Sequence, residues 1–241
     1  MALKAPRESE RITSLAYLSA MAMDDARSFR EEVMPLIASS AAMGPGRWMQ
    51  RPVSWLRRRC YHLPVAAGQD EFSVPTPADE ARLWALVEAA WAPLGPEVRQ
   101  AWQELVTRYP GSRADISIVE GALPAFLGIL AGCSRELSAD ELTRLDRVVE
   151  RKLWELDRAD VHAVTGGSAD GFLYSRGFVV AMGREFCEAV TGDPEMGVPD
   201  AECEEMCYFF THLCHDQFGE FPATGSGISR ESRSNLVAWI F

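Results

Sequence analysis

The chain has no run of eighteen consecutive apolar residues, so a membrane-spanning helix is not expected. It has no useful stretch of alternating apolar and polar residues, which argues against a sheet as the organising element, and no internal repeat, which excludes a solenoid. Neither a P-loop nor a G-x-G-x-x-G turn is present, so the two commonest glycine-rich nucleotide cradles are missing. No Glu-x-x-His pair occurs, which disfavours di-iron chemistry on a helical bundle. The six cysteines (Cys60, Cys133, Cys187, Cys203, Cys207, Cys214) are too sparse, in a chain of 241 residues, to read as a disulfide scaffold. They read as free thiols in a reducing compartment, and a cytoplasmic setting is expected. Near the N-terminus, Lys4, Arg7 and Arg11 precede an Ala20-Met21-Ala22 pattern that mimics a signal peptide. Glu8 and Glu10 among the basic residues, and Ser14, Tyr17 and Ser19 in the apolar stretch, favour an amphipathic helix instead.

What is present is a large apolar fraction, 47%, with seven Trp and eleven Phe, enough to build a core without staples. Acidic residues outnumber basic ones, 35 to 24, for a formal charge of −11. That field opposes nucleic acid and anionic membrane and favours a basic partner. The charge is unevenly spread. Positions 33–69 contain no Asp or Glu but carry Arg47, Arg51, Arg57, Arg58 and Arg59, interleaved with Trp48, Trp55 and Tyr61. Such a segment could stack bases, or it could fold back onto acidic helices with its arginine stems covering aromatic surface.

Helical spacing dominates from Pro77 onward. The pattern predicts a helix opened by Ala78 or Asp79 and stopped at Pro93, another from Glu97 to Tyr109, and a third from Ser112 to Leu130 with a bend allowed at Pro124. Ser138 and Glu141 form a capping box ahead of Leu142, Leu145, Val149, Leu153 and Leu156. A long helix is expected from the Gly166-Gly167-Ser168 turn to about Val190, then one from Pro199 to His215, and a short one within Ser229 to Trp239. The predicted fold is all-α, an irregular helical bundle. Residues 1–42 read as a helical extension, 43–77 as a Pro/Gly/Arg-rich connection, 78–218 as the core domain and 219–241 as a tail.

One block carries a resemblance: Gly166-Gly167-Ser168-Ala169-Asp170-Gly171-Phe172, Ser175-Arg176-Gly177-Phe178-Val179-Val180, Gly183-Arg184-Glu185 and Asp193-Pro194. It resembles the bacterial family catalogued as domain of unknown function 4240, over about residues 80–197, with Leu83-Trp84 and the helix after Ser138 fitting upstream. The chain departs from that pattern at Gly167 (usually Cys), Ala169 (usually Asp), Ser175 (usually Phe) and Phe178 (usually Trp). The resemblance implies a fold and a bacterial provenance, not an activity.

In the same block Ser168 and Asp170 are both good helix N-caps, and the glycines permit left-handed turns. Arg176 and Arg184 lie eight apart, on one face of a continuous helix, with Glu188 extending the row. Gly177 and Ala181 would admit a close helix. The block reads either as a capped helix with structural arginines or as an anion site formed by Ser168, Asp170, Arg176 and Arg184, with His162 as an acid–base group. Gly166-x-Ser168-x-Asp170 lacks the last glycine, and the preceding strand, of a nucleophile elbow. Cys203, Cys207, His212, Cys214 and His215 read as a core face, or as part of a metal site that would need a ligand from elsewhere, such as His162 or Cys187. Neither metal nor cofactor is expected. Two functions compete: a non-enzymatic interaction or regulatory protein for a basic partner, immunity-like in one form, and an enzyme or accessory protein of specialised metabolism with a small anionic ligand at Asp170, Arg176 and Arg184.

Overall fold

The computed structural model describes residues 72–240. The expected extension 1–42 and nearly all of the connection 43–77, with its five arginines, lie outside the described residues. Within them the fold is all-α, with no strand. The helices are α1 (Pro77–Trp91), α2 (Pro96–Thr107), α3 (Ser117–Ser134), α4 (Ala139–Glu155), α5 (Ala159–Thr165), α6 (Ala169–Ala181), α7 (Arg184–Gly192), α8 (Glu204–Cys207) and α9 (Phe209–Phe218). Short 3-10 turns occupy Pro194–Met196 and Leu236–Trp239.

Local chemistry explains most boundaries. Thr76, with Pro77 at the first helical position, closes a capping box with Asp79, so α1 begins slightly earlier than the pattern places it. Ser138 does the same with Glu141 at α4, and hydrogen bonds from Ser138 hold the Glu141 carboxyl below its ordinary value. The third helix starts at Ser117, not Ser112, because Asp115 accepts from the Ser117 amide at 3.0 Å and turns the chain just before the helix. It runs through Pro124 and has the length and hydropathy of a membrane span, with Glu120 its one charge; 56% of it is buried inside the fold.

Two expected long helices are each broken. The first stops at Ala181 and restarts at Arg184, with Gly183 at φ 92° between them, a conformation open mainly to glycine. The orphan carbonyls at this break are taken by tryptophans from other helices: Trp91 Nε1 donates to Ala181 O at 2.7 Å and Trp102 Nε1 to Met182 O at 2.8 Å. The second breaks at Tyr208, which divides α8 from α9.

The core is organised on α4 and α6. Helix α4 packs against α1, α6, α8 and α9, and α6 lies closest to α8. Leu142, Leu145, Val149 and Leu153 of α4 and Phe172, Phe178 and Val180 of α6 are buried. Each contributes roughly 1.5–3 kcal/mol through area removed from water. Gly177 permits the close approach of α8: a Cβ there would collide with the Cys203 carbonyl oxygen and stand 2.6 Å from Cys207 Sγ.

After Gly219, whose left-handed conformation ends α9, the short helix expected within Ser229 to Trp239 is confined to the 3-10 turn Leu236–Trp239. It runs extended across the bundle, and even-numbered residues from Pro222 to Ser234 face inward while odd-numbered ones face solvent. We call residues 220–240 the strap.

Gly177→Ala is expected to destabilise the protein by about 1–3 kcal/mol, because α8 presents backbone to the added methyl. Thermal melting would show a loss of several degrees, at ~2–4 °C per kcal/mol. An unchanged melting temperature would show that α8 yields freely.

Candidate functional site

The turn Gly166–Gly167 takes φ values of 72° and 91°, so two left-handed residues reverse the chain between α5 and α6. Ser168 caps α6, its hydroxyl accepting from the Gly171 amide at 3.2 Å. Asp170 does not cap; it lies in the first turn, where a carboxylate favours the helix dipole. His162 reaches the same turn, its Nε2 3.2 Å from Gly167 O. The His162 ring meets Phe172 edge-on at 4.9 Å and Trp239 at 5.4 Å. The structure therefore gathers His162, Ser168 and Asp170 around one turn.

Arg176 lies beneath that turn and is fully buried. Its Nη1 donates to Leu153 O at 2.7 Å, and its Nη2 to Arg230 O at 3.0 Å and Ser232 Oγ at 2.9 Å. Nε donates a long bond to Phe172 O at 3.4 Å, and the guanidinium stands 4.8 Å from the Phe172 ring centre. Among the described residues no carboxylate comes within ion-pair distance. Burial holds the Arg176 pKa below its ordinary value, with partial compensation from Asp157. The Ser232 hydroxyl that accepts from Arg176 donates in turn to Ala169 O at 2.5 Å, so the strap covers the guanidinium.

Arg184 does not join this group. The break at Gly183 places it on α7, where its exposed side chain pairs with Glu188 at 2.7 Å. The expected common face of Arg176 and Arg184 is thus corrected: a spacing of eight aligns side chains only if the helix is continuous. A cavity of about 210 Å³ lies instead among Val87, Trp91, Val98, Trp102 and Met182, with Glu88 and Arg99 also lining it. None of the five predicted site residues lines it, and it is below the usual size of a ligand pocket.

The chain matches no family model, no curated protein and no solved structure. Its chemistry must be read from its own side chains. Cys133, Cys187, Cys203, Cys207 and Cys214 are all buried and unbridged. Burial pushes the Cys133 thiol up to about 11 and those of Cys187 and Cys207 up to about 12, so they stay protonated at neutral pH. Cys203 and Cys207 serve the α6–α8 contact, with Cys207 Sγ 3.3 Å from Leu173 O. Among the described residues no group of three His, Cys, Asp or Glu side chains is placed to hold a metal.

The residues that sequence reasoning missed are three buried carboxylates. Asp146 and Glu150 lie on α4, and Asp157 follows it. Asp146 pairs with Arg230 at 2.5 Å, and Glu150 lies 3.6 Å from the Arg230 Nε. Burial works to lower the Arg230 pKa, but these two carboxylates outweigh it and the pKa stands above its ordinary value. Asp157 accepts from the Arg233 and Asn235 amides, both at 2.9 Å, and from Trp239 Nε1 at 3.0 Å. A signal existed: Asp146 and Glu150 sit next to Leu145 and Val149 on the apolar stripe of α4, four residues apart, where a solvated charge does not belong.

Arg176→Leu is expected to cost about 3 kcal/mol or more, since it strands buried carbonyls and detaches the strap. Arg184→Leu is expected to leave the melting temperature unchanged. Paired melts of the two variants test this, and equal losses would contradict the assignment.

Proposed function

We propose that this chain is a non-enzymatic interaction or regulatory protein that binds a basic protein partner. The observation that carries this reading is the segment from Asp193 to Glu205. It holds Asp193, Glu195, Asp200, Glu202, Glu204 and Glu205 and no Lys or Arg. Among the described residues none of these six forms an ion pair, and the first four are exposed. The Glu202 pKa is raised by partial burial and by the neighbouring Asp200 and Glu204 charges. Like charges held together in this way gain from an incoming cation. Residues 72–241 as a whole carry 14 Lys and Arg against 27 Asp and Glu, a net −13, and such a field steers basic partners toward the surface.

Several features accord with a binding role. The buried thiols are not poised as nucleophiles, and they support a reducing, cytoplasmic setting. The Arg176 guanidinium, on which an anion pocket at Asp170 and Arg184 would depend, already serves Leu153, Arg230 and Ser232. We also read the chain as a relative of the family catalogued as domain of unknown function 4240. In support, the motif residues Ser168, Arg176, Gly177 and Gly183 each have an architectural task here.

The test is affinity capture from the native host with the full chain, followed by the triple variant Glu202→Lys/Glu204→Lys/Glu205→Lys. A stoichiometric partner of high isoelectric point, released by salt and lost with the variant, is expected. A control with exposed Glu97→Lys and Glu120→Lys should retain it. Binding should weaken as the pH falls through the raised Glu202 value, where that carboxylate takes up its proton. A partner that is acidic, or retained equally by the triple variant, would refute the reading.

A further inference from the structure

The strap is attached mainly by polar contacts. Among the described residues no buried apolar side chain lies beyond Cys214, and Leu236, Val237 and Ile240 are 70%, 82% and 76% exposed. Area removed from water therefore holds the strap weakly. Charge and hydrogen bonds hold it strongly, and four of them address the polypeptide backbone. Asp157 accepts the Arg233 and Asn235 amides, Arg176 donates to Arg230 O, and Arg147 Nε donates to Thr224 O at 2.6 Å. Any extended polypeptide supplies those groups.

Strap side chains make the larger share of the contacts. Arg230 enters the recess between Asp146 and Glu150, with its Nη1 also donating to Cys207 O at 2.6 Å. The Thr224 and Ser226 hydroxyls donate to Glu150 Oε2 at 2.7 and 2.5 Å. Trp239 meets Phe172 and His162. The strap also carries backbone strain: Arg233 has φ 68°, the left-handed region that a non-glycine residue enters only at a cost.

We infer that this groove of α4, α6 and α9 is a binding site for an extended, arginine-bearing peptide segment, and that the strap is its intramolecular occupant. The recess between Asp146 and Glu150 takes the guanidinium, Asp157 and Arg176 take the backbone, and the Phe172–His162 wall takes an aromatic side chain nine residues further on, as Trp239 follows Arg230. A partner segment of that chemistry competes with the strap and displaces it. The strap thus sets the affinity that a partner must exceed, since a site occupied for most of the time binds more weakly in proportion. This site uses different residues from the acidic segment Asp193–Glu205 and does not depend on the role proposed for it.

Two measurements on the full chain test the inference. In the unaltered protein, amide hydrogen exchange should open the strap amides of residues 225–235 at least 100-fold faster than those of 142–153 in α4, because the strap detaches while the bundle stays folded. Fluorescein-labelled peptide 222–240 should bind the full-length Arg230→Ala variant saturably and at least tenfold more tightly than the wild type, whose own strap competes. The same peptide carrying Arg230→Ala should bind at least tenfold more weakly. Should Arg230→Ala fail to fold, full-length Thr224→Ala/Ser226→Ala loosens the strap through its hydroxyls alone and takes its place. Strap amides as protected as α4, no saturable binding to a folded strap variant, or equal binding of the two peptides would each overturn the inference.

Discussion

A guanidinium in the core with no carboxylate beside it is the constraint around which the C-terminal half of this molecule is built. Arg176 cannot shed its charge, so every donor it carries inward must find an oxygen. Helix α4 supplies one at Leu153, α6 supplies another at Phe172, and the rest come from the strap at Arg230 and Ser232. Bundle and strap therefore depend on one another. Without the strap Arg176 would face solvent from the floor of a groove, and without Arg176 the strap would lose its central anchor. Asp157 completes the arrangement from the other side, since its charge offsets that of Arg176 while its oxygens hold the strap amides.

This explains what the sequence could and could not disclose. Capping at Ser138 and Ser168, the apolar stripe of α4 and the close approach at Gly177 are local properties, and each was legible from a window of a few residues. The end of α6 was not. Its carbonyls are capped by Trp91 and Trp102, some 80 to 90 positions away in the chain, and no local pattern reports such a donor. Apolar residues on both sides of Gly183 keep a helical rhythm because α6 and α7 face the same core, so the rhythm continues across a break in the backbone. The strap was illegible for a related reason. Its inward residues are Pro, Thr, Ser, Ile and Arg, and it is ordered by charges on the bundle, Asp146, Glu150, Asp157 and Arg176, not by an apolar face of its own. The site followed the same rule: the turn at Gly166–Ser168 was visible, while the carboxylates that give the groove its character were hidden within a stripe read for its leucines.

The acidic balance of the chain acquires two distinct meanings. Asp146, Glu150 and Asp157 are buried and matched, each facing a cation or a set of amides. The carboxylates of Asp193 to Glu205 face no cation and are mostly open to water, although Asp193 accepts from the Glu195 amide. Buried, matched charge specifies one arrangement of the chain, because removing either partner leaves the other uncompensated. Surface charge without a cation beside it acts at a distance on whatever approaches. Net charge alone, the quantity available from composition, merges the two.

The same separation bears on the motif block. Ser168 begins a helix, Arg176 joins three parts of the fold, Gly177 admits α8, and Gly183 turns the chain under the tryptophans of α1 and α2. A block whose residues are each required by backbone geometry or buried polarity will resemble related sequences without marking a reaction centre. Ala169 contributes to the strap contact through its backbone carbonyl, which any side chain would leave in place. On this argument the block is a scaffold, and the two surfaces proposed for recognition lie beside it: the acidic segment leading into α8, and the groove in which the strap now lies.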